Sequence, residues 1–451
     1  MFHWSKDAVF YHIYPLGFCD APQNNDFNSN PIPRFEKINT LVEHIRNIGC
    51  NAVYLGPIFE STKHGYDTVD YYTIDRRLGT NETFKTLVEL FHKNSIKVVL
   101  DGVFNHVGRD FWAFKDLKYF RENSIYKNWF TNINFGKNSP YNDGFSYDGW
   151  NGHYDLVKLD LKNPAVKEHL FNAISMWVNE FGIDGLRLDC ADCLSMDFLE
   201  ELSTFCKKTK PDFWLMGEVI HGDYTKWVNE KRLDSVTNYE CYKGLYSSLN
   251  DTNYFEIAYS LKRQFGDGGI YKNLGLYSFT DNHDVDRVSS SLKNKKHLFP
   301  LYAMLFTIPG VPSIYYGSEF GMEGKKTNGS DYPLRPSFDI NNLKGNPLVP
   351  DLPEVIKKLI QIRKSNPSLK YGNYKEIFTS QQQFVFLREF EGEKSIVAVN
   401  SSENEAKITI NIPFSNVQLN DILNEGEIFR VENNRLELNI YPNWGRIMKI
   451  A

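Results

Sequence analysis

The sequence has little cysteine, no surplus of positive charge and no long apolar run, and each of these absences excludes a class of protein. Cysteine accounts for only 6 of the 451 residues, too few for the disulfide scaffold of a small secreted domain. The formal net charge is −5, whereas a protein that holds a nucleic-acid backbone needs a basic surface. No stretch approaches the roughly 20 apolar residues that a membrane-spanning helix requires. We therefore expect neither nucleic acid nor a membrane as a partner.

Two further signals are missing. The amino terminus, MFHWSKD, lacks the basic segment and the apolar segment of a secretory signal peptide, so we expect a cytoplasmic protein. Cys190 and Cys193 form a lone C-x-x-C with no second pair and no nearby histidine motif. We therefore do not expect zinc there, and we predict that both residues are buried thiols beside a strand end.

Apolar residues are plentiful, and they recur in a regular rhythm. The chain is 41% hydrophobic and 15% aromatic, enough to form a sizeable core. Short apolar runs alternate with segments of helical i, i+3, i+4 spacing, which is typical of a parallel sheet. Eight such units predict an α/β fold of the (β/α)8 TIM-barrel type, with a doubly wound sheet as the alternative. The eight runs are Val9–Tyr14, Ala52–Leu55, Ile96–Leu100, Ile183–Leu188, Phe213–Gly217, Ser235–Asn238, Leu276–Phe279 and Pro312–Tyr316.

Two segments depart from this rhythm and predict additional structural units. Residues 106–154 are rich in Asn, Gly and aromatic residues and follow the third strand, so we expect an inserted lobe beside a cleft. From about residue 380 the pattern alternates apolar and polar residues, which indicates a C-terminal antiparallel β-sandwich. The predicted domains are therefore a barrel over 1–105 and 155–370, the lobe over 106–154 and the sandwich over 371–451.

Carboxylates follow several of the predicted strands at the end where a barrel places its active site. Asp101, Asp189, Glu218 and Asp284 end the third, fourth, fifth and seventh strands. Clustered carboxylates repel each other, so they need a cation, a shared proton or a chemical purpose. One possibility is a metal site that uses these four residues as oxygen ligands. The other is glycoside hydrolysis, in which two carboxylates lie about 5–5.5 Å apart in a retaining enzyme.

The residues around Asp189 favour glycoside hydrolysis. Neighbouring barrel strands lie about 4.8 Å apart, which places Asp189 and Glu218 near the required separation. Arg187 lies on the same face of its strand as Asp189 and would keep that carboxylate ionised, as a nucleophile must be. Beside this negative charge, Glu218 is predicted to have a raised pKa and to act as the acid. A metal site gives no comparable explanation of Arg187 or of the two nearby histidines.

Three motifs in order along the chain resemble those of the α-amylase superfamily, glycoside hydrolase family 13. They are D-x-x-x-N-H at 101–106, G-x-R-x-D at 185–189 and N-H-D at 282–284, with Glu218 between the last two. The resemblance extends from about Ala8 to the C-terminus, including the lobe and the sandwich. It implies a nucleophile at Asp189, a general acid/base at Glu218 and a residue that stabilises the distorted sugar at Asp284. Further residues that it implies for sugar binding or positioning are Tyr66, Asp67, His106, Trp150, Arg187, His283, Asp331 and Arg335.

Within this family the lobe is similar to that of the cyclomaltodextrinase, neopullulanase and maltogenic amylase group. Those enzymes carry an N-terminal domain used in dimerisation, and this chain starts close to the first strand, so we expect a monomer. They usually have Trp two residues after the acid/base, where this chain has Ile220. Calcium-dependent members tend to have Lys-His after the nucleophile, where this chain has Cys190 and Ala191. We expect no required cofactor and no metal ligand, with Asn105 as a ligand if calcium binds.

The resemblance implies a retaining hydrolase of α-1,4-glucosidic bonds in maltooligosaccharides, cyclodextrins or soluble starch. An α-1,6-acting glucosidase or a glucosyl-transferring enzyme of the same family remains an alternative. A catalytically inactive carbohydrate-binding relative is the third possibility, because a fold alone does not establish activity. The presence of Asp189, Glu218 and Asp284 together favours an enzyme.

Overall fold

The computed structural model describes residues 3–327 and 329–450, so the predicted domain ends at 1–2 and 451 lie outside the described residues. Its first sheet has eight strands, all paired in parallel. They are β1 Phe10–Ile13, β2 Ala52–Leu55, β3 Lys97–Gly102, β4 Gly185–Leu188, β5 Trp214–Gly217, β6 Ser235–Val236, β7 Tyr277–Phe279 and β8 Val311–Tyr315.

These strands close into a barrel. Their order is β6-β5-β4-β3-β2-β1-β8-β7, and a parallel bridge between Thr237 and Tyr277 joins the two ends. Each predicted run overlaps one of the strands. The predicted (β/α)8 barrel is confirmed, and the doubly wound alternative is wrong because such a sheet has two open edges.

Helices connect the strands, and local sequence signals set their ends. Glu36–Ile48 buries Ile38, Leu41 and Ile45 on one face and ends at Gly49, whose φ of +102° suits glycine. Asn81–Lys93 begins with reciprocal hydrogen bonds between Thr80 and Thr83 that form a capping box. The remaining helices are Pro15–Phe18, Trp112–Phe120, Pro164–Met176, Met196–Thr209, Tyr239–Asn250, Phe255–Phe265, Val288–Ser291, Leu298–Leu305, Ile340–Gly345, Leu352–Ser365 and Pro367–Tyr371. A π-helical turn, Trp177–Phe181, continues the helix Pro164–Met176, and none of the described helices has the length and apolar character needed to span a membrane.

Two insertions rise from the carboxyl ends of β2 and β3. After β2, Phe59–Ser61 and Thr68–Ile74 form an antiparallel hairpin. After β3, a small antiparallel sheet forms the lobe, with His153–Lys158 between His106–Gly108 and Gly149–Trp150. The strand His153–Lys158 continues past residue 154, where the sequence analysis ends the lobe.

The barrel interior is filled with apolar and aromatic side chains at the amino ends of the strands. The rings of Phe10 and Trp214 stack with their centroids 5.0 Å apart, and Tyr277 packs edge-on against Phe10 at 5.5 Å. We call this cluster the amino-end core. It consists of Ala8, Phe10, Ala52, Tyr54, Val99, Trp214, Met216, Tyr277, Phe279 and Val311.

The C-terminal residues form an eight-stranded antiparallel sheet. Its strands are β9 Asn373–Thr379, β10 Gln383–Phe390, β11 Glu393–Asn400, β12 Ala406–Asn411, β13 Val417–Asp421, β14 Ile428–Glu432, β15 Arg435–Ile440 and β16 Trp444–Ile450. Their order in the sheet is β9-β10-β11-β16-β13-β14-β15-β12. The sheet folds over its own apolar face, where Leu387, Ile396, Leu438 and Met448 share one buried cluster. The predicted β-sandwich is confirmed.

One buried arginine joins the sandwich to the barrel, and a second holds a helix within the barrel. Arg388 of β10 is 1% exposed and donates to the backbone carbonyls of Thr307 and Gly372. Arg363 of the helix Leu352–Ser365 is equally buried and donates to carbonyls of Phe306, Ile308, Leu369 and Gly310. Because buried carbonyls that lose their donors are costly, Arg388 binds the sandwich to the barrel, and Arg363 fixes the helix Leu352–Ser365 within the barrel.

Candidate active site

The strand register brings the predicted carboxylates to one end of the barrel. Asp101 pairs with Arg187 across β3 and β4. Leu188 pairs with Gly217 across β4 and β5, so Asp189 and Glu218 leave adjacent strands at the same level. Asp284 follows β7 on the opposite side of the barrel.

The guanidinium group of Arg187 lies at the centre of these carboxylates. Its Nη1 donates to Asp101 Oδ1 and to Asp189 Oδ1, both at 2.9 Å. Its Nη2 lies 2.8 Å from Glu218 Oε2. The contact with Asp189 agrees with the sequence interpretation, but the contact with Glu218 was not anticipated. Arg187 supplies the positive charge that the carboxylates need, and it occupies the position that the alternative metal site would require.

Glu218 is held in a protonated state. Burial is the largest influence and raises its pKa, Arg187 opposes it, and the charges of Asp189 and Asp284 raise it again, to about 8. The sequence analysis predicted the direction of this shift but attributed it to Asp189 alone. Glu218 Oε2 accepts hydrogen bonds from both Arg187 and the Cys190 backbone N–H at 3.0 Å, so Oε1 is the oxygen left to carry the proton.

Asp284 is held as an anion by two basic neighbours. Burial alone would raise its pKa, but His283, Arg335 and Arg187 outweigh this and hold the pKa well below its usual range. Asp284 Oδ2 lies 3.0 Å from His283 Nε2, and Oδ1 accepts from Arg335 Nη2 at 2.9 Å. Arg335 Nε also donates to the His283 carbonyl at 3.1 Å. Arg335 therefore fixes both members of the His283–Asp284 pair.

Tyr66 connects the two sides of the site. Its hydroxyl donates to Asp101 Oδ2 at 3.0 Å and also contacts His283 Nε2. Its ring stacks on the His283 ring at 5.5 Å, and the residue is 8% exposed. Tyr66 is thus largely packed against protein, with a narrow part of its surface open to the barrel mouth.

His106 faces the predicted nucleophile from the lobe side. Its Nε2 lies 3.9 Å from Asp189 Oδ2 and has no hydrogen-bond partner among the described residues. Burial, with a smaller contribution from His64, lowers the pKa of His106 to about 3, so the ring is neutral. Asn105 Nδ2 contacts the other ring nitrogen at 3.2 Å, and the ring of Trp150 lies 5.8 Å from that of His106.

Two of the predicted residues lie at the edge of this cluster. Asp67 is buried in the hairpin turn, where its Oδ1 accepts from the Gly65 backbone at 3.2 Å. Asp331 lies between Lys326 at 2.8 Å and Arg335 at 3.3 Å. Asp331 therefore reaches the site only through Arg335. The expectation that no metal is required, with Asn105 as a ligand if calcium binds, stays a prediction.

Cys190 is a residue of the site that the sequence analysis did not place there. Its thiol donates to Asp189 Oδ2 at 3.3 Å, and it adopts the left-handed conformation with φ of +36°. Cys193, which follows on a 3₁₀ turn, is exposed. The prediction of two buried thiols is therefore correct for Cys190 and wrong for Cys193. Adjacency to Asp189 was the available signal for Cys190.

A (β/α)8 barrel with buried, charge-paired carboxylates at the carboxyl ends of its strands is the architecture of a barrel enzyme. Residues 12–346 match the family model described as alpha amylase, catalytic domain. Residues 372–448 match the model described as alpha-amylase C-terminal domain. The chain belongs to the α-amylase family of glycoside hydrolases.

Individual relatives cover nearly the whole chain. A cyclomaltodextrinase from a Bacillus species is 31% identical over 425 residues, which are 89% of this chain and 74% of the relative. A solved cyclomaltodextrinase structure has a TM-score of 0.86 at 27% identity and covers 99% of this chain and 78% of its own. The debranching enzyme of Nostoc punctiforme has a TM-score of 0.83 at 28% identity, with 99% and 98% covered.

Proposed function

We propose that this glycoside hydrolase cleaves α-1,4-glucosidic bonds in maltooligosaccharides, cyclodextrins or soluble starch with retention of configuration. The observation that carries the proposal is the single guanidinium of Arg187, which contacts both Asp189 and a protonated Glu218. A nucleophilic carboxylate next to a protonated acid is what a double-displacement mechanism requires.

In the first step, Asp189 attacks the anomeric carbon and forms a covalent glycosyl-enzyme. Glu218 gives its proton to the glycosidic oxygen, so the leaving sugar departs as a neutral alcohol. In the second step, Glu218 takes a proton from water, and the resulting attack on the anomeric carbon releases Asp189. Asp189 Oδ1 is bound by Arg187, which leaves Oδ2, facing His106, as the attacking oxygen.

The remaining residues would bind the sugar whose bond is cleaved. His106 and His283 would contact its hydroxyl groups, Tyr66 would lie against its ring, and the anionic Asp284 would stabilise the positive charge of the transition state. Arg335 holds Asp284 in place, with Asp331 behind it. Trp150 and Asp67 would shape the lobe side and the hairpin side of the cleft.

A cavity beside Asp284 supports an oligosaccharide substrate. It has a volume of about 480 Å³, and its lining includes Tyr242 and Tyr246 next to Asp284. Cavities of this size hold small ligands, and aromatic side chains offer flat apolar surfaces to sugar rings. The relatives named cyclomaltodextrinase support cyclodextrins and maltooligosaccharides as the substrate class.

An α-1,6-acting enzyme is the second candidate. The similarity to a debranching enzyme over 98% of that enzyme's length supports it. Ile220 supports it as well, because this residue, which is 42% exposed, takes the place of the Trp that the cyclomaltodextrinase group usually has two residues after the acid/base. A transferase of the same family would use the same first step and replace water by a sugar hydroxyl.

The test is a time course of products from maltohexaose, cyclodextrin and pullulan, with the anomeric configuration of the first products followed by NMR. We expect short maltooligosaccharides that appear first as the α-anomer, and loss of activity in Asp189→Asn. Asp197→Asn, at an exposed position on the next helix, is the matched control and should retain activity. A β-anomer as first product would contradict the retaining mechanism.

The substrate that is consumed separates the candidates. Cleavage of pullulan at its α-1,6 bonds alone would replace the α-1,4 proposal by the second candidate. Products longer than maltohexaose would indicate glucosyl transfer. Activity that survives treatment with EDTA is expected if no calcium is required. Monomeric state and cytoplasmic location stay predictions, for which gel filtration and fractionation of cells are the measurements.

A further inference from the structure

We propose that His106, Asp189, Cys190 and Cys193 form a binding site for a thiophilic divalent cation such as zinc, and that the bound cation blocks the nucleophile. The inhibitory part rests on the proposed function of Asp189, whereas the metal site itself does not. The sequence analysis excluded zinc at the C-x-x-C because no histidine motif lies nearby along the chain. The fold supplies the missing histidine from the end of β3.

The ligand atoms are already close together. Among the described residues, one nitrogen, oxygen or sulfur atom each from His106, Asp189 and Cys190 lie within 4.8 Å of one another. Asp189 Oδ2 is 3.9 Å from His106 Nε2 and 3.3 Å from Cys190 Sγ. Zinc bonds of 2.0–2.3 Å in a tetrahedron correspond to ligand separations of about 3.3–3.8 Å. Asp189 and Cys190 already have about this spacing, whereas His106 would have to move roughly 0.5–1 Å closer to them.

The histidine gives an independent indication of a ligand. His106 is 1% exposed, and its Nε2 is directed towards Asp189 without a hydrogen-bond partner among the described residues. Asn105 contacts the opposite ring nitrogen. With its amide turned, Asn105 can accept the Nδ1 proton and fix the ring as the partner behind a metal-bound histidine does.

The backbone after β4 directs both sulfur atoms to the same place. The left-handed conformation of Cys190 turns its thiol back onto Asp189. The 3₁₀ turn that follows is closed by a hydrogen bond of 2.9 Å from the Cys193 N–H to the Cys190 carbonyl. The side chain of Cys193 neighbours that of Cys190. Cys193 is the exposed member and is not one of the three residues whose ligand atoms lie within 4.8 Å of one another, so its side chain would have to turn towards the other three to become the fourth ligand.

The types of ligand atom at the site favour a soft cation. Arg187 bonds only Oδ1 of Asp189, so Oδ2 is available to a metal. On binding, the two thiols would lose their protons to solvent and become thiolates, which bind zinc strongly and calcium weakly. A cation on Oδ2 would occupy the oxygen that we assign to nucleophilic attack. The bound cation and the substrate would therefore exclude each other.

Cadmium and zinc titrations of the whole protein test the site without any reference to activity. Cadmium binding is followed by its thiolate charge-transfer absorption in the ultraviolet, and zinc binding by calorimetry. We expect one equivalent bound by the wild type, with affinity lowered at least about 10–100-fold in Cys190→Ser and in Cys193→Ser. Cys206→Ser, at a buried thiol in the helix Met196–Thr209, is the control and should bind like the wild type.

Each outcome decides one part of the proposal. Absence of a charge-transfer band in the wild type, or equal affinity in Cys193→Ser and wild type, would overturn the metal site. Cys193→Ser is the more informative variant because its exposed position tolerates serine, whereas Cys190 is packed against Asp189. Thermal melting by circular dichroism checks that both variants are folded.

Inhibition is measured separately, as the zinc dependence of maltohexaose hydrolysis with each variant normalised to its own activity without zinc. Competitive inhibition that weakens at least about 10-fold in Cys193→Ser supports the blocking role. Zinc that binds but leaves hydrolysis unchanged would overturn it. If maltohexaose is not a substrate at all, the spectroscopic titration still decides the metal site.

Discussion

The two ends of the barrel are filled with different kinds of side chain, apolar rings at the amino ends of the strands and charged groups at the carboxyl ends. At the amino ends of the strands, Phe10, Trp214 and Tyr277 fill the interior with close-packed rings. At the carboxyl ends, Arg187 is surrounded by Asp101, Asp189 and Glu218. Ring packing gains free energy by removing apolar surface from water, whereas burying charges costs free energy that only mutual pairing offsets. The amino end therefore stabilises the barrel, whereas the carboxyl end holds the reactive groups of the candidate site.

The largest expected effect comes from removing the charge at the centre of the site. Arg187→Met leaves three buried carboxylates without their cation, so we expect a loss of about 3–5 kcal/mol in the free energy of unfolding. Hydrolytic activity should fall by at least about 10³-fold, since Asp189 loses its positioning partner. Urea unfolding and steady-state kinetics measure the two effects.

Arg187→Lys is the matched control, because it keeps the charge but cannot form the forked contacts. The stability of Arg187→Lys should lie between those of Arg187→Met and the wild type, and its hydrolytic activity should stay low. Wild-type activity in Arg187→Lys would contradict the positioning role.

The corresponding change at the amino end should separate stability from activity. Trp214→Ala removes a fully buried ring, and we expect a loss of about 3–5 kcal/mol of unfolding free energy. The kcat of the folded fraction should change little, because Trp214 lies away from the carboxylates. Trp214→Phe, the conservative control, should lose less stability. A large fall in kcat for Trp214→Ala at a temperature where the protein is folded would show that the two ends are not independent.

Among residues at the carboxyl end of the barrel, the loss of kcat/KM should be smaller the farther the changed residue lies from the reacting atoms. Arg335→Gln releases Asp284 and the His283 carbonyl, and we expect kcat/KM to fall about 100-fold because misplacement of a catalytic group costs that much. Asp331→Asn should cost less than about 5-fold, since an exposed ion pair contributes less than about 1 kcal/mol. Equal losses in the two variants would mean that Asp331 itself contacts the sugar.

The most gradual expected effect is a pH dependence of stability that only the carboxyl end should show. The pKa of Glu218 is raised from 4.5 to about 8 in the folded protein, so between these values the folded state binds more protons than the unfolded state. The unfolding free energy should therefore fall as pH rises, by up to about 1.4 kcal/mol per pH unit from this group. Glu218→Gln, which is neutral at every pH, should lack this contribution.

Urea titrations of wild type and Glu218→Gln at pH 5, 6 and 7 provide the measurement. Parallel stability curves for the two proteins would show that Glu218 is not perturbed. As the proposed acid, Glu218 must also be protonated, so kcat/KM should decline above about pH 8.

The barrel could be predicted from sequence because its strands are buried on both faces and read as continuous apolar runs. The carboxylates at the ends of β4 and β5 could be predicted for a related reason, since parallel strands bring successive ends to one face. The reach of Arg187 to Glu218 could not be predicted, because period-2 alternation concerns one strand and not its neighbour. The meeting of His106 with Cys190 depends on two loops from different strands. The exposure of Cys193 depends on a 3₁₀ turn that the local sequence does not predict.

The buried Arg388 between barrel and sandwich also affects how this chain can be recombined. Arg388 in the sandwich satisfies the carbonyl of Thr307 in the barrel, so a foreign sandwich without an arginine at this position would leave that carbonyl without its donor. Arg363 ties the helix Leu352–Ser365 to the turn before β8 in the same way. A chimera cut between the two family domains, near residue 371, would therefore separate Arg388 from the Thr307 carbonyl and leave the Arg363 bonds intact. Designers of hybrid enzymes should exchange the C-terminal half of the barrel together with the sandwich, as one cassette.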